Sequence, residues 1–480
     1  MDLNTTAFKQ NKVLSIMVIT SLMCYVIFAY NLARTEYTKL VILYIALFAL
    51  FYKILTLLRH NTLLLTWLAF GFRGLFILAI PNLSQDFYRF IWDGRMILEG
   101  FNPYLYTVES FISNGEFPIL QAQELFKGMG TLNASHFTNY PPINQLCFVI
   151  AGLFASKSIL GSVVVMRLLI IAADFGTLCF GKKLLDNLNM PAHTIFWYLL
   201  NPFIIIELTG NLHYEGVMIF FLIWSLYLIH KGKWLMGGVV FALSVSVKLI
   251  PLIFLPLFYQ WFLKRPKVQN SKVSKLDNSD KTITQQSLGI SKLIVFYIII
   301  GIVTLCLFIP FYSSKFVTNY AQTVGLWFQN FEFNASIYYI ARAIGYWFRG
   351  WNEIAIIGKL IAITVLVFVL IMAFFKKQKT FPDLLVAMLF ALTFYYFTAT
   401  TVHPWYIATL LILSVFTGYK FPLVWSLAII LSYLAYANAN NTENLWVIGL
   451  EYVIVYGVFI WEVFLKKQTS YKDIDHFDHN

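Results

Sequence analysis

Long apolar stretches recur along most of this 480-residue sequence. A helix that crosses a bilayer needs about 20 consecutive, mostly apolar residues. Windows of roughly that length lie near residues 13–33, 38–58, 61–81, 161–181, 192–211, 214–230, 293–312, 352–374, 381–400, 404–418, 421–437 and 445–465. The pattern predicts an all-α polytopic membrane protein in which residues 1–480 form a single membrane domain of about 12–14 transmembrane helices.

Basic residues in the short connections predict how the chain is oriented. Cytoplasmic loops carry an excess of Lys and Arg. If both chain ends are cytoplasmic, the basic residues of the short connections lie on that side as well, namely Lys9, Lys12, Lys53, Arg59, Lys376, Lys377, Lys379, Lys420, Lys466 and Lys467. Residues 264–292, with seven Lys or Arg against two Asp, and the tail 466–480 are then cytoplasmic. Two long interruptions, residues 82–142 and the partly polar 313–351, become extracytoplasmic loops.

The segment 143–263 allows two topologies. Five simple crossings would leave four lysines outside, namely Lys182, Lys183, Lys231 and Lys233. The alternative makes all four cytoplasmic: residues 143–160 dip into the membrane or lie at its surface, and residues 234–263 form a hairpin broken near Lys248 and Pro251. We prefer the second topology, because broken helices are tolerated at membrane depth where they line a cavity.

Composition narrows the class of protein further. The chain is 59% hydrophobic and only 12% charged, whereas about a quarter of the residues in a soluble domain are charged. The net charge of +12 follows from basic residues at the cytoplasmic face, so no nucleic-acid partner is expected. The four cysteines lie in apolar stretches without metal-ligand spacing, so neither a disulfide nor a zinc site is predicted.

The 82–142 loop opens with an amphipathic, juxtamembrane helix. In SQDFYRFIWDGRMILEGFNPYLY, from Ser84 to Tyr106, Asp86 and Asp93 are seven residues apart. A helix places both carboxylates and Arg89 near one face, and apolar residues on another. The carboxylate of Asp86 is a candidate for chemistry at the membrane surface; the alternative is that Asp86 only caps the helix.

Ionisable residues in or beside apolar segments are further candidates for functional residues, because a charge in the membrane is costly and is usually retained for a function. They are Arg73, Arg167, Asp174, Glu207, His213, Glu215, Lys248, Arg342 and His403. Arg167 and Asp174, two helical turns apart, are a candidate internal ion pair. Asn211, His213 and Glu215 share one short loop, a cluster that suits a transporter as well as an enzyme.

Six segments, taken in order, carry a family resemblance. SQDFYRFIWDGRMILEGFNPY, the Tyr-Pro-Pro at 140–142, NPFIIIELTGNLHYEG, SVSVKLIPLIFLP, FEFNASIYYIARAIGYW and HPWY resemble the polyprenyl-phosphate-mannose-dependent mannosyltransferases of the GT-C superfamily. The match runs from about residue 61 to 465. Two features depart from the pattern: two extra spans stand in front, and Asp86 is a single carboxylate with Asp93 later, where the family has an adjacent pair.

The resemblance implies a GT-C-like bundle and an inverting glycosyltransferase with a large catalytic loop at 82–142. Asp86 would be the catalytic base that accepts the proton of the acceptor hydroxyl. Residues that would bind the donor phosphate or another part of the substrates are Arg89, Asp93, Arg95, Asn211, His213, Glu215, Lys248, Arg342 and His403. Lys248 is the first choice for the leaving phosphate, because stabilising the charge that develops is usually the largest catalytic effect.

The implied partners are the bilayer, a polyprenyl-phosphate sugar donor and a glycan, lipid or protein acceptor. We expect no cofactor and assign no metal ligand, although the loop of Asn211, His213 and Glu215 could hold a divalent metal. The rival functions are a secondary transporter and a lipid-linked saccharide flippase or polymerase. Mannose is implied by the resemblance alone, since glucose, galactose or arabinose would require the same base and phosphate-binding groups.

Overall fold

The computed structural model describes residues 3–155, 157–263, 288–438 and 440–466, with side chains from residue 12 onward except at 327–329. Most of the basic loop 264–292 and of the tail 466–480 lies outside the described residues. The helices are α1 (Leu3–Tyr30), α2 (Tyr37–Leu57), α3 (Thr62–Gly74), α4 (Asp86–Leu98), α5 (Val108–Ser113), α6 (Ala122–Ala134), α7 (Pro142–Ala155), α8 (Ile159–Asn187), α9 (Phe196–Leu199), α10 (Pro202–Ile204), α11 (Glu215–His230), α12 (Trp234–Val245), α13 (Phe258–Leu263), α14 (Ile290–Phe308), α15 (Ser314–Gln329), α16 (Ile337–Arg349), α17 (Ile354–Phe374), α18 (Phe381–Thr398), α19 (Ile407–Val415), α20 (Phe421–Ala428) and α21 (Leu445–Ile460).

Shorter helical turns extend several of these elements. The 3-10 segments are Ala192–Ile195, Ile250–Leu257, Ile309–Phe311, Pro404–Tyr406 and Ile429–Ala437, and the π segments are Ile205–Gly210 and Trp461–Leu465. Over the described residues the only extended pairing is an isolated bridge between Phe333 and Thr401. The prediction of an all-α protein is confirmed.

Seven helices are long and apolar enough to cross a membrane, and an eighth span is added if the bent pair Pro202–Gly210 and Glu215–His230 counts as one. The seven are Lys12–Tyr30, Tyr37–Leu57, Ile159–Asn187, Ile290–Phe311, Ile354–Phe374, Phe381–Thr398 and Leu445–Leu465. This confirms a polytopic integral membrane protein. The number of full-length spans in the described ranges is smaller than the 12–14 expected from hydropathy.

The remaining apolar windows are short or broken helices. The window near 61–81 contains α3, of 13 residues, and the window near 404–418 contains α19, every residue of which is buried. A window of apolar residues does not distinguish lipid from the protein interior, and helices of 10–14 residues commonly belong to a core. The remaining windows of the hydropathy count therefore correspond to the shorter apolar helices.

A buried ion pair joins three parts of the bundle. Arg73 Nε lies 2.7 Å from Asp174 Oδ2, and both side chains are wholly inaccessible to solvent. The Arg73 Nη1 also donates to the carbonyls of Ala69 and Leu199, at 2.9 and 2.6 Å. The predicted pairing of Arg167 with Asp174 is wrong. Seven residues along a helix separate two side chains by about 10 Å, so each meets a different neighbour.

Two interruptions of the helices lie where the 82–142 loop re-enters the bundle. The chain bends by 114° between Gly210 and Glu215, and it leaves helical geometry between α12 and Ile250, at Lys248. The backbone N–H of Ile143, at the start of α7, donates to the Ser246 carbonyl at 2.9 Å. The break predicted near Lys248 is therefore present, and it lies beside the end of the 82–142 loop.

We expect Asp174→Asn to destabilise the protein by about 3–5 kcal/mol, because it leaves the Arg73 charge buried without a carboxylate. The double variant Arg73→Met/Asp174→Leu removes both charges and should recover a large part of that loss. Melting temperature in detergent measures both. Lys39→Gln is the control, since its exposed pair with Glu36 contributes about 0–1 kcal/mol. A double variant as unstable as the single one would contradict the interpretation.

Candidate active site

Asp86 is the first residue of α4, where a carboxylate interacts favourably with the helix dipole. The N-cap residue before it is Gln85, whose side chain makes no capping bond, and the Asp86 backbone N–H donates to Ser84 Oγ at 3.3 Å. The carboxylate accepts a long hydrogen bond from Asn133 Nδ2 at 3.4 Å and also interacts with the Ser84 side chain. The N-cap position thus belongs to Gln85 and not to Asp86, and the partly exposed Asp86 carboxylate has capacity for another partner.

An ion pair lies beside this carboxylate. Lys248 Nζ is 2.6 Å from Glu215 Oε1, so the two helix interruptions are joined by opposite charges. The Lys248 ammonium also lies 5.9 Å from the centre of the Tyr140 ring, which belongs to the Tyr-Pro-Pro re-entry. Residues from the 82–142 loop, the bend and the break therefore converge on one place.

The charges of the pair act on Asp86. Burial raises the pKa of the Asp86 carboxyl above its ordinary value and is the largest cause, while the positive charge of Lys248 lowers it. Glu215 adds a smaller upward contribution, and the Arg34 charge and the hydrogen bond with Ser84 add smaller downward ones. A raised pKa in a polar, partly exposed location is suitable for a group that must accept a proton.

A column of stacked rings forms another wall of the site. His213 stacks on Trp405 with ring centres 3.7 Å apart, and His403 stacks on Trp405 at 4.6 Å. The column continues through Phe333, 5.2 Å from His403, to Tyr436, 5.7 Å from Phe333. Burial and the nearby Lys248 lower the pKa of His403 to about 3, so this imidazole is neutral at physiological pH.

Asn211 connects the bend to the segment that leads into α4. Its Oδ1 accepts from the Leu83 backbone N–H at 3.2 Å, and its Nδ2 donates to Glu207 Oε2 at 3.5 Å. Glu207 in turn accepts from the Tyr433 hydroxyl at 2.7 Å. Asn211 thus has a positioning role that its place in a polar loop did not reveal.

Arg167 makes a second connection between the same two segments. Its guanidinium donates to the carbonyls of Thr209 and Gly210, at 2.8 and 2.9 Å, and to that of Ile77 at 2.9 Å. The last carbonyls of a helix have no intrahelical partner, and here a buried arginine supplies one. The geometry of the bend therefore depends on a side chain that contacts no site residue.

Three of the candidate residues lie inside the 82–142 loop and are engaged there. Arg89 pairs with Asp93 at 2.8 Å and donates to the carbonyls of Asn133 and His136. Arg95 donates to the Leu120 carbonyl at 2.9 Å. These charges hold α4 against α6 and the following turn, and the structure does not bring them into the cluster around Asp86.

Close packing also immobilises α4 on its other side. A Cβ atom placed on Gly94 would stand 2.3 Å from the carbonyl oxygen of Phe148 in α7, so only glycine permits this approach. Phe90 stacks on the Phe148 ring with centres 4.6 Å apart. Asp86 is therefore carried by a helix that is fixed along its length.

Arg342 is separate from this cluster as well. Its Nη1 lies 2.7 Å from Glu332 Oε2, and its guanidinium stands 4.3 Å from the Tyr339 ring centre. The six residues that the structure does bring together around the bend and the break are Asp86, Asn211, His213, Glu215, Lys248 and His403.

Arg34 is a neighbour of this site that sequence reasoning missed. It lies between α1 and α2, with Nη1 3.5 Å from the Leu83 carbonyl and its guanidinium 4.2 Å from the Tyr436 ring centre. Nothing in its local sequence marks it, because the connection between α1 and α2 lies outside every segment that carried the resemblance. Within the ranges described, no group of three His, Cys, Asp or Glu side chains could hold a metal ion.

Comparison with known proteins places this geometry in a family. Residues 6–264 match the family described as alpha-(1->6)-mannopyranosyltransferase, N-terminal domain. The chain belongs to this family. The matched region is more than half of the 480 residues and includes Asp86, Asn211, His213, Glu215 and Lys248.

Two curated relatives share a shorter region. "Alpha-(1->6)-mannopyranosyltransferase A" of Mycobacterium tuberculosis (strain H37Rv) is 21% identical over 186 residues, which are 38% of this chain and 34% of the relative. The protein of the same name from Corynebacterium glutamicum is 26% identical over 191 residues, 38% of this chain and 36% of the relative. The alignments thus span about a third of the length of these family members.

We expect Arg89→Met to lower the melting temperature, because it leaves Asp93 buried without its cation and removes two donors from the loop carbonyls. The loss should be about 3 kcal/mol, with faster proteolysis within residues 82–142. Lys127→Met, an exposed charge on α6, is the control. Unchanged stability in Arg89→Met would instead favour a substrate-binding role for Arg89.

Proposed function

We propose that this chain is an integral membrane mannosyltransferase that takes mannose from a polyprenyl-phosphate donor. It transfers the sugar to an extracytoplasmic glycan, lipid or protein acceptor by an inverting displacement, with Asp86 as base. The observation that carries the proposal is the convergence of Asp86, the Lys248–Glu215 pair and the neutral His403 at two interrupted helices. The donor sugar and an α-(1→6) linkage are taken from the names of the relatives.

The reaction requires one proton acceptor and one stabilised leaving group. The acceptor hydroxyl gives its proton to the Asp86 carboxylate while its oxygen forms a bond to the anomeric carbon. The bond from that carbon to the phosphate oxygen breaks with its electron pair, and the polyprenyl phosphate leaves with additional negative charge. A carboxylate in hydrogen-bonding reach of the attacking hydroxyl contributes about 10²–10⁴-fold to such a step.

The other residues have binding and positioning roles. Lys248 interacts with the negative charge that develops on the donor side, and Glu215 holds the ammonium in place at 2.6 Å. His213 and His403 present ring edges for hydrogen bonds to sugar hydroxyls. Both imidazoles stack on Trp405, so Trp405 aligns the histidines.

Location at the membrane follows from the chemistry of the donor. A polyprenyl chain is confined to the bilayer, and its phosphate lies at the interface, where the broken helices bring cationic and polar groups. With both termini cytoplasmic, the loop 82–142 and the site face the extracytoplasmic side. The product would then be released on the extracytoplasmic side, where the available sugar donors are lipid-linked.

We expect Asp86→Asn to reduce transfer of radiolabelled mannose from polyprenyl-phosphate-mannose by at least about 10²-fold. The assay uses membranes that contain equal amounts of folded protein, with UDP- and GDP-sugars as alternative donors. Glu99→Gln is the matched control, because Glu99 is an exposed carboxylate at the end of the same helix. Transfer by Asp86→Asn at the wild-type rate would remove Asp86 from the mechanism. Absence of transfer by the wild type would favour a transporter or flippase.

We expect two variants to move the acid limb of the pH profile of kcat/KM in opposite directions. Activity is lost as the pH falls through the pKa of the base, which Lys248 lowers and Glu215 raises. Lys248→Met should therefore shift the limb to higher pH, and Glu215→Gln should shift it to lower pH. Initial rates between pH 4 and pH 9, roughly the range that brackets a perturbed carboxyl, test this. Shifts of the same sign would show that Asp86 is not the titrating group.

A further inference from the structure

The three cations named from the sequence as phosphate ligands and engaged with carboxylates have much of their charge neutralised. Lys248 lies 2.6 Å from Glu215, Arg89 lies 2.8 Å from Asp93, and Arg342 lies 2.7 Å from Glu332. A cation that is paired with a carboxylate offers little net charge to a second anion. Lys248 alone therefore compensates only part of the charge on the departing phosphate, and a second, unpaired cation would compensate more of it.

Arg34 is such a group. Its guanidinium has no carboxylate within ion-pair distance among the described residues, and it is partly exposed. One N–H points to the Leu83 carbonyl at 3.5 Å, three residues before Asp86, and one face of the guanidinium covers the Tyr436 ring. Its positive charge lowers the pKa of Asp86, so it acts on the same space as the base.

The connection that carries Arg34 is fastened to the segment leading into α4. Asn82 Nδ2 donates to the carbonyls of Phe28 and Leu32, at 2.7 and 2.9 Å. Glu36 accepts from the Ala33 backbone N–H at 2.8 Å and pairs with Lys39, so the carboxylate nearest in sequence has other partners. Arg34 is thus presented to the site by a braced turn, and its charge is left available.

We propose that Arg34 binds the phosphate of the polyprenyl donor and of the polyprenyl phosphate product, an inference that rests on the proposed function. The planar guanidinium has N–H donors in a fork that matches two non-bridging phosphate oxygens. These hydrogen bonds strengthen as the bond to the anomeric carbon breaks and the phosphate gains charge. The two N-terminal spans then have a defined role, since they deliver the unpaired cation of the site.

The test is the affinity of the detergent-solubilised full chain for decaprenyl monophosphate, measured by quenching of tryptophan fluorescence. Arg34→Gln should bind at least about tenfold more weakly than the wild type. Lys53→Gln should bind like the wild type, because it removes an equal charge from an exposed position near the other end of the next helix, α2. The neutral alcohol decaprenol should bind the wild type and Arg34→Gln equally.

Two further measurements show which phosphate compound the site binds and whether weaker binding comes from Arg34 or from misfolding. Excess phosphatidylglycerol or inorganic phosphate should not displace decaprenyl monophosphate, and displacement by either would overturn the assignment. Arg34→Lys, which keeps the charge but loses the fork, should bind with intermediate affinity and stands in if Arg34→Gln does not fold. Equal affinity of wild type and both variants overturns the role of Arg34 alone. A wild type that does not bind the lipid phosphate overturns the proposed function with it.

Discussion

This structure depends on one constraint: wherever a helix is interrupted, its backbone N–H and C=O groups must still find hydrogen-bond partners. Lipid offers no hydrogen bonds, so an interruption at membrane depth is tolerated only where protein groups supply them. Arg167 supplies donors to the carbonyls of Thr209 and Gly210, and Asn211 connects the bend to Leu83. These bonds allow the chain to turn by 114° and to present Glu215 to Lys248. The polar site exists because the interruptions that create it are compensated from within the bundle.

Features that depend on local sequence could be predicted. The amphipathic pattern at Asp86 indicated a helix, α4. Lys248 and Pro251 within an apolar run indicated a break, and the structure has one there. A charge inside an apolar segment is informative for a similar reason, since its cost must be compensated. This cost identified most of the six residues that meet around the bend and the break, although the sequence did not show which of them are neighbours in space.

Features that depend on tertiary packing could not be predicted. Asp174 pairs with Arg73, 101 positions earlier, and spacing within one helix suggested Arg167 in its place. Arg89, Arg95 and Arg342 have the guanidinium group that binds phosphate in many proteins. Here Arg89 and Arg95 donate to loop carbonyls, and Arg342 pairs with a carboxylate. Whether a cation can bind a substrate or is already paired with a carboxylate depends on residues far away in the chain. Hydropathy windows also could not separate lipid-facing helices from the buried α19.

The stacked column of rings also has a consequence for biogenesis. His213 belongs to the first half of the chain, Phe333, His403 and Trp405 to the second, and Tyr436 lies close to the final span. Membrane helices are released in order of synthesis, so the wall of the site cannot assemble until the segment that carries Tyr436 has left the insertion machinery. A nascent or truncated chain would expose an isolated carboxylate and ion pair without their aromatic wall. Assembly of the site therefore depends on a segment synthesised long after Asp86.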